Sequence, residues 1–162
     1  MSQNEFTLST IGFVHQEGEV FRLDIEPAYR AALNGLQGLS HINVLFWAHY
    51  LDQPHYRSVM EVDQPYQHSP AKLGIFATRS PMRPNPILVT VSQVIYLDAE
   101  AGKILVAYID AEEGSPILDI KPYLPCSDRV REVQTPQWNS HWPQCYEDSA
   151  EFDWASEFVN AQ

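Results

Sequence analysis

The sequence predicts a mainly β protein, a small antiparallel β-barrel with one or two short helices and a C-terminal wrap. Three observations lead there. Apolar runs recur at strand length, among them "INVLFWAHYLD", "ILVTVSQVIYLD" and "KILVAYID". Turn-forming residues separate these runs at short intervals. Only "EPAYRAALNGL" reads as a clear helix.

In chain order, "FTLSTIGFV" and "EVFRLDI" read as two strands joined by the turn "HQEG". The helix follows, with Pro27 suited to its first position and Asn34-Gly35 to its end. After the turn "LQGLSH", the run "INVLFWAHYLD" reads as a strand on which His41, Asn43, Leu45, Trp47 and His49 share one face. "YRSVMEV" alternates as a strand on the wetter side of the sheet, and "DQPYQHSPAK" is a loop by its prolines. "LGIFA", a proline-rich loop, and a hairpin of "ILVTVSQVIYLD" and "KILVAYID" turning at Ala101-Gly102 come next. "AEEGSPILDIKPYLP" is a turn and a short extended piece. The remainder, with Trp138, Trp142 and Trp154, is expected to fold back over the sheet.

Length and charge narrow the function. With 162 residues and no linker or repeat, the chain is expected to form one domain, 1–162. No apolar run is long enough for a membrane helix, and "MSQNEFTLST" lacks the basic start and apolar middle of a signal peptide, so a cytoplasmic location is expected. Cys126 and Cys145 stand far apart, and no Cys/His spacing suggests a metal site. A net charge of -11 speaks against bulk attraction to nucleic acid, yet its distribution is uneven. From Gln64 to Leu97 there is no Asp or Glu, while Lys72, Arg79 and Arg83 all lie in that window. Neither GxGxxG nor GxxxxGK[ST] occurs, which removes the usual Rossmann and P-loop routes to a nucleotide.

Three constellations carry chemistry. In "GIFATRSPMRPNPILV" each proline fixes its own φ and pushes the residue before it out of the helical region. Ser80, Arg83 and Asn85 are thereby held extended, and Arg79 and Arg83 offer permanently charged planar forks for a carboxylate or phosphate. Alternatively these arginines pair with Glu113, Asp119 or Asp128 and pin the loop. In "DAEEGSPILDIKPY", Gly114 and Pro116 bracket Ser115 in a tight turn that could turn backbone N–H groups outward. Asp119 and Lys121, two apart, share a face and suit an exposed ion pair. His49-Tyr50 closes the long strand and gains interest only if it meets the other two segments; His15, His55, His68 and His141 show no usable pattern.

Together "IGFVH", "GLSHINVLFWAHY", "GIFATRSPMRPNPI" and "DAEEGSPILDIKPY" resemble, in order and spacing, the TsaA-like family, which includes the TrmO (YaeB) proteins. The resemblance covers about residues 11–125. It implies a small, usually dimeric antiparallel β-barrel that binds S-adenosyl-L-methionine without a Rossmann fold and methylates N6 of threonylcarbamoyladenosine beside the anticodon of tRNA. The cofactor residues it implies are His49, Tyr50, Arg79, Val89, Glu113, Gly114, Ser115 and Pro116. Arg83, Asn85, Asp119 and Lys121 match further motif positions, and His49 is the candidate base. The chain departs from the family pattern in having no Pro-Arg-Gln after the first strand, Leu88 in place of a glycine, and no room for the further C-terminal domain of two-domain members. A non-catalytic relative that binds S-adenosyl-L-methionine or another nucleotide-like ligand is the alternative, and a domain whose motifs serve packing only is a third.

Overall fold

In the computed structural model, which describes residues 6–160, β1 (Gly12–Glu17) and β2 (Val20–Ile25) form a hairpin across Gly18 and Glu19. Met1 to Glu5, the first half of the stretch that lacks signal-peptide character, lie outside the described residues. Gly18 takes φ 65° and no described non-glycine residue has a positive φ, the pattern of a II′ turn whose twist suits a hairpin. The predicted first strand begins later than its apolar sequence suggests. Pro27 opens a 3-10 helix immediately after β2, so the pairing ends with Ile11, which still bonds Ile117 and Glu26, and the residues before it have no ladder to join.

That helix, Pro27–Leu33, is the segment expected to be helical, wound more tightly than an α-helix. Gly35 at φ 91° then turns the chain away. β3 (His41–Trp47) alternates as predicted: Ile42, Val44 and Phe46 are buried while His41, Asn43, Leu45 and Trp47 face outward. His49 is a correction. The strand ends at Trp47, and His49–Leu51 form a single 3-10 turn, so His49 leaves the row it was expected to share.

β6 (Ile87–Asp98) and β7 (Lys103–Val106) make the expected hairpin, and β8 (Pro116–Pro122) is longer than a short extended piece. The antiparallel strands close into a barrel in the order β1-β2-β7-β6-β3-β8. Inward positions of β1, β2, β3, β7 and β8 supply Val14, Leu23, Ile25, Val44, Phe46, Ile104, Val106 and Ile117 to one core. β6 differs in sending Thr90 and Ser92 inward; the Thr90 hydroxyl oxygen accepts the Asp110 N–H at 3.3 Å.

The chain divides into two compact units, the first comprising the chain up to Asp52 together with Pro86–Arg129, and the second Gln53–Asn85 with the chain from Val130 onward. The second unit corrects the expected strand "YRSVMEV". Pro54 presets the first turn of a short helix, Pro54–Arg57, leaving only β4 (Glu61–Asp63) extended. Its partner is β5 (Lys72–Gly74) in a separate two-stranded sheet, so this strand is not part of the barrel. Ile75–Ala77 then form a 3-10 turn rather than continuing a strand.

The C-terminal segment gathers around Tyr66, with Trp138, Trp142 and Phe158 at ring-centroid distances of 5.6, 4.8 and 5.7 Å. Glu157 is buried among these rings, 4% exposed, and its Oε2 lies 2.9 Å from His141 Nε2. Burial pushes its carboxyl up. Contacts with His141, the indole N–H of Trp142 and the more distant His68 outweigh that and hold it below the usual range. Cys126 and Cys145 are both free and exposed. Among the described residues no helix is long and apolar enough to cross a membrane.

Two outcomes follow for stability. Phe46→Ala removes a ring that is 1% exposed and is expected to cost about 3–5 kcal/mol in urea unfolding. His141→Ala strands the Glu157 carboxylate and is expected to cost about 1–3 kcal/mol, read by the fluorescence of the tryptophans packed beside it. An unchanged urea midpoint in either variant contradicts the packing described.

Candidate functional site

The barrel brings the end of β3 to the turn that precedes β8. Ala48 donates its N–H to Pro86 O at 2.9 Å, which fixes how the chain leaves the strand. The following 3-10 turn places His49 Nδ1 3.4 Å from the hydroxyl of Ser115, a residue only 2% exposed. The ring of His49 leans on Tyr50, with centroids 4.0 Å apart, and Tyr50 itself is 60% exposed. His49-Tyr50 therefore meets one of the other two predicted segments, the Glu113–Pro116 turn.

That turn is built as its sequence requires. Gly114 takes φ 75°, open to glycine, and the Ser115 N–H bonds Glu112 O at 3.1 Å. The expectation that backbone N–H groups face outward there is corrected. The Gly114 N–H is spent on Val14 O of β1 at 2.8 Å, and the Ser115 N–H closes the turn on Glu112 O. What the turn presents outward is the Glu113 side chain. Its Oε2 accepts the Gln16 N–H at 2.8 Å, and its Oε1 lies 2.6 Å from His15 Nδ1. The Gln16 amide, then His15, hold the Glu113 carboxyl below the usual range, so it stays an anion at neutral pH.

Three strands set a row of outward side chains beside this turn. Leu45 of β3 stands opposite Val89 of β6 on one side and Asp119 of β8 on the other. Val89 is 42% exposed. One register step along, Lys121 opposes Asn43, and its Nζ lies 2.6 Å from Asp119 Oδ2. The hydrogen bond and charge of Asp119 raise the Lys121 pKa. Asp119 and Lys121 thus form the surface ion pair that was one of their two readings. Leu88, at the position of the family glycine, opposes buried Phe46 and packs on the core, so its side chain turns away from the outer row.

The proline-rich loop belongs to the second unit up to Asn85. Arg83 bonds backbone carbonyls, Thr78 O at 2.7 Å and Ile75 O at 3.1 Å. Its predicted carboxylate partners are engaged elsewhere: Glu113 with His15, Asp119 with Lys121, and Asp128 with Asn43 at 3.0 Å. Arg83 therefore braces its own loop, helped by the Ser80 N–H on the Thr78 hydroxyl at 3.2 Å and the Met82 N–H on the Ser80 hydroxyl at 3.2 Å. Arg79 and Asn85 are exposed. Within the second unit the loop is stiff for two reasons, its prolines and this lattice of side-chain bonds.

The groups that could hold a ligand in the first unit are thus an exposed aromatic face, Tyr50, an ionised carboxylate, Glu113, and the paired His49 and Ser115. The residue that sequence reading missed is His15. It acts on Glu113 across 98 positions of sequence, and no local pattern announces a pairing of that span. Among the described residues no group of three metal-binding side chains comes together.

Comparison with known proteins identifies the family. The family model for the tRNA-methyltransferase O N-terminal domain matches residues 13–129. A probable S-adenosyl-L-methionine-binding protein of Pyrococcus horikoshii is 35% identical over 75% of this chain and 85% of its own length. A rat tRNA (adenine(37)-N6)-methyltransferase is 36% identical over 68% of this chain, though only 24% of its own. The crystal structure of TrmO from P. aeruginosa aligns with a TM-score of 0.64 at 27% identity, covering 84% of this chain and 62% of that one. The chain thus spans less than two thirds of the length of that TrmO.

Because the Glu113 carboxyl is lowered in the folded state, its hold on β1 is complete above the ordinary glutamate value of about 4.3 and is lost as pH falls through its depressed value. The Gln16 amide resonance is expected to stay fixed down to about pH 4.3 and to titrate only in more acidic solution. In Glu113→Gln that transition disappears. A midpoint at or above the ordinary value contradicts the assignment.

Proposed function

The chain belongs to the tRNA-methyltransferase O N-terminal-domain family, and from that premise we propose that it is an S-adenosyl-L-methionine-dependent methyltransferase acting on N6 of an adenine in tRNA. The observation that carries this is the meeting of His49 with Ser115, which joins two of the segments whose motifs imply the cofactor. The names of the Pyrococcus and rat relatives support the cofactor and the base.

The residues fit such a cofactor by their chemistry. S-adenosyl-L-methionine is a cation overall, with a sulfonium, an ammonium and one carboxylate. An ionised Glu113 and a chain of net charge -11 attract that charge. The exposed ring of Tyr50 offers a face to a purine or a sulfonium. When bound, the cofactor supplies a methyl carbon already activated for displacement. The protein's share is then to hold the acceptor nitrogen in line and to exclude water.

The amine product must lose a proton. His49, whose Nδ1 faces Ser115, presents its other ring nitrogen as the base, and the long 3.4 Å contact is of the kind that tightens on substrate binding. Val89 and the turn Glu113–Pro116 complete the cofactor contacts in this proposal. Arg79, Arg83 and Asn85 enter it from their motif, Arg83 by holding the loop in shape. The acid-free window from Gln64 to Leu97, in which Arg79 is exposed, suits the phosphates of an otherwise repelled tRNA. In this proposal the finer substrate is threonylcarbamoyladenosine and the working form a homodimer, both as the family resemblance implies, and the setting is the cytoplasm.

The absence of Pro-Arg-Gln favours a second reading, a relative that binds the cofactor without transferring its methyl group. Thermal unfolding comes first. Either S-adenosyl-L-methionine or S-adenosylhomocysteine at 100 times its Kd is expected to add about 2.7 kcal/mol. For this chain length that raises Tm by roughly 5–10 °C, and Arg79→Ala is expected to abolish the rise. Methyl transfer to tRNA bearing threonylcarbamoyladenosine, but not to tRNA lacking it, establishes the finer substrate, and His49→Ala is expected to lower kcat by roughly 100-fold or more. Stabilisation without transfer favours the non-catalytic relative. No stabilisation at millimolar ligand ends the methyltransferase proposal.

A further inference from the structure

We propose that His15 is a positioning residue for the cofactor site, locking the Glu113–Pro116 turn, and through Ser115 the ring of His49, in the arrangement that binds S-adenosyl-L-methionine. This inference rests on the methyltransferase reading for its ligand, while its geometry lies wholly within the barrel unit.

Four hydrogen bonds tie the turn to β1. Two are backbone bonds, Gly114 N–H to Val14 O at 2.8 Å and Val14 N–H to Ser115 O at 3.0 Å. The other two run through one side chain: Glu113 accepts from the Gln16 N–H at 2.8 Å and from His15 at 2.6 Å. A surface glutamate with 59% of its side chain exposed would ordinarily sample several rotamers in water. Here each oxygen holds a different group of β1, so the side chain has one orientation. An ionised Glu113 only accepts, so the hydrogen between them sits on His15 Nδ1 and His15 donates.

The far side of the imidazole is also braced. Its Nε2 lies 3.6 Å from Asp24 Oδ2, and Asp24 is clasped by Arg22, the residue directly opposite His15 on β2. Arg22 in turn pairs with Glu17. The ring is thus set between two carboxylates on a charged hairpin, with its direction fixed before any ligand arrives. Without it Glu113 keeps only the Gln16 amide, about which the carboxylate can swing. The turn's two backbone bonds to β1 remain, so the fold survives while the orientation of Glu113, Ser115 and His49 loosens. Ligand affinity, which depends on preorganisation, should fall more than stability.

The test uses calorimetric titration of the full chain with S-adenosyl-L-methionine and with S-adenosylhomocysteine. His15→Ala is expected to raise Kd about tenfold while ligand-free Tm stays within a few degrees. His15→Gln, which restores a donor, is expected to recover most of that loss. If His15 acts through Glu113, the pair His15→Ala/Glu113→Ala binds no more weakly than Glu113→Ala alone. A His15→Ala protein with wild-type affinity, or losses that multiply in the double variant, overturns the role of His15. Should His15→Ala fail to fold, comparing His15→Gln with Glu113→Ala decides the same question: a Kd raised in the glutamine variant as much as in Glu113→Ala contradicts the donor role. A wild-type chain that binds neither ligand overturns the methyltransferase reading itself, and with it this inference, a result distinct from selective loss in the variants.

Discussion

The narrow seam between β1 and β8 governs the rest of this structure. Only Gly12–Ile117 and Phe13–Pro116 pair across it, against seven register pairs between β3 and β6. A six-stranded sheet that failed to close here would leave two edges open and expose Val14 and Ile117, both fully buried, to water. The seam can be short because bonds flanking the pairs extend it: the Ile11 N–H to Ile117 O at 2.8 Å, and those between Val14 and the Gly114–Ser115 turn. Close approach of β1 to β2 is equally required. A Cβ on Gly12 would meet Asp24 O at 2.2 Å, so the residue at the seam must be glycine.

Closure and site are consequently one construction. The turn that carries Glu113 and Ser115 continues the seam, and the bonds that close the barrel also aim the turn at His49. In the proposed reading this turn stands where α/β proteins use a glycine-rich loop and helix N-terminus to take nucleotides. Those sites present N–H donors to phosphates. Here the Gly114 N–H is taken by β1 and the Ser115 N–H by Glu112 O within the turn, and what faces outward is a carboxylate. Such a site suits a cation, and a sulfonium is one.

Much of the barrel was readable because its strands are apolar runs of strand length bounded by turn residues. β3 and β6 carry long apolar runs, and the β6–β7 hairpin announces itself with Ala101-Gly102, where Gly102 takes φ 72°. The misread elements are those in which a proline or a missing partner overrides the pattern. "YRSVMEV" alternates, yet Pro54 winds its start into a helical turn and β5 claims the rest. "FTLST" is apolar enough for a strand, but a strand needs a neighbour, and β2 has ended at Ile25. Leu88 stands where the family pattern has a glycine, and register places it on the core side.

By itself the sequence determined the barrel class, the positions of Gly114 and of the prolines that stiffen the arginine loop, and the motifs that imply the family. These are local properties: periodicity, allowed φ and residue chemistry travel with the chain. Only the tertiary structure decided that His49 leaves the strand to face Ser115, that Arg83 braces its own loop, and that His15 holds Glu113. The first rests on where a ladder stops and the second on how a proline-rich loop folds back on itself, while the third is a hydrogen bond across 98 residues, which leaves no periodic trace in the chain that makes it.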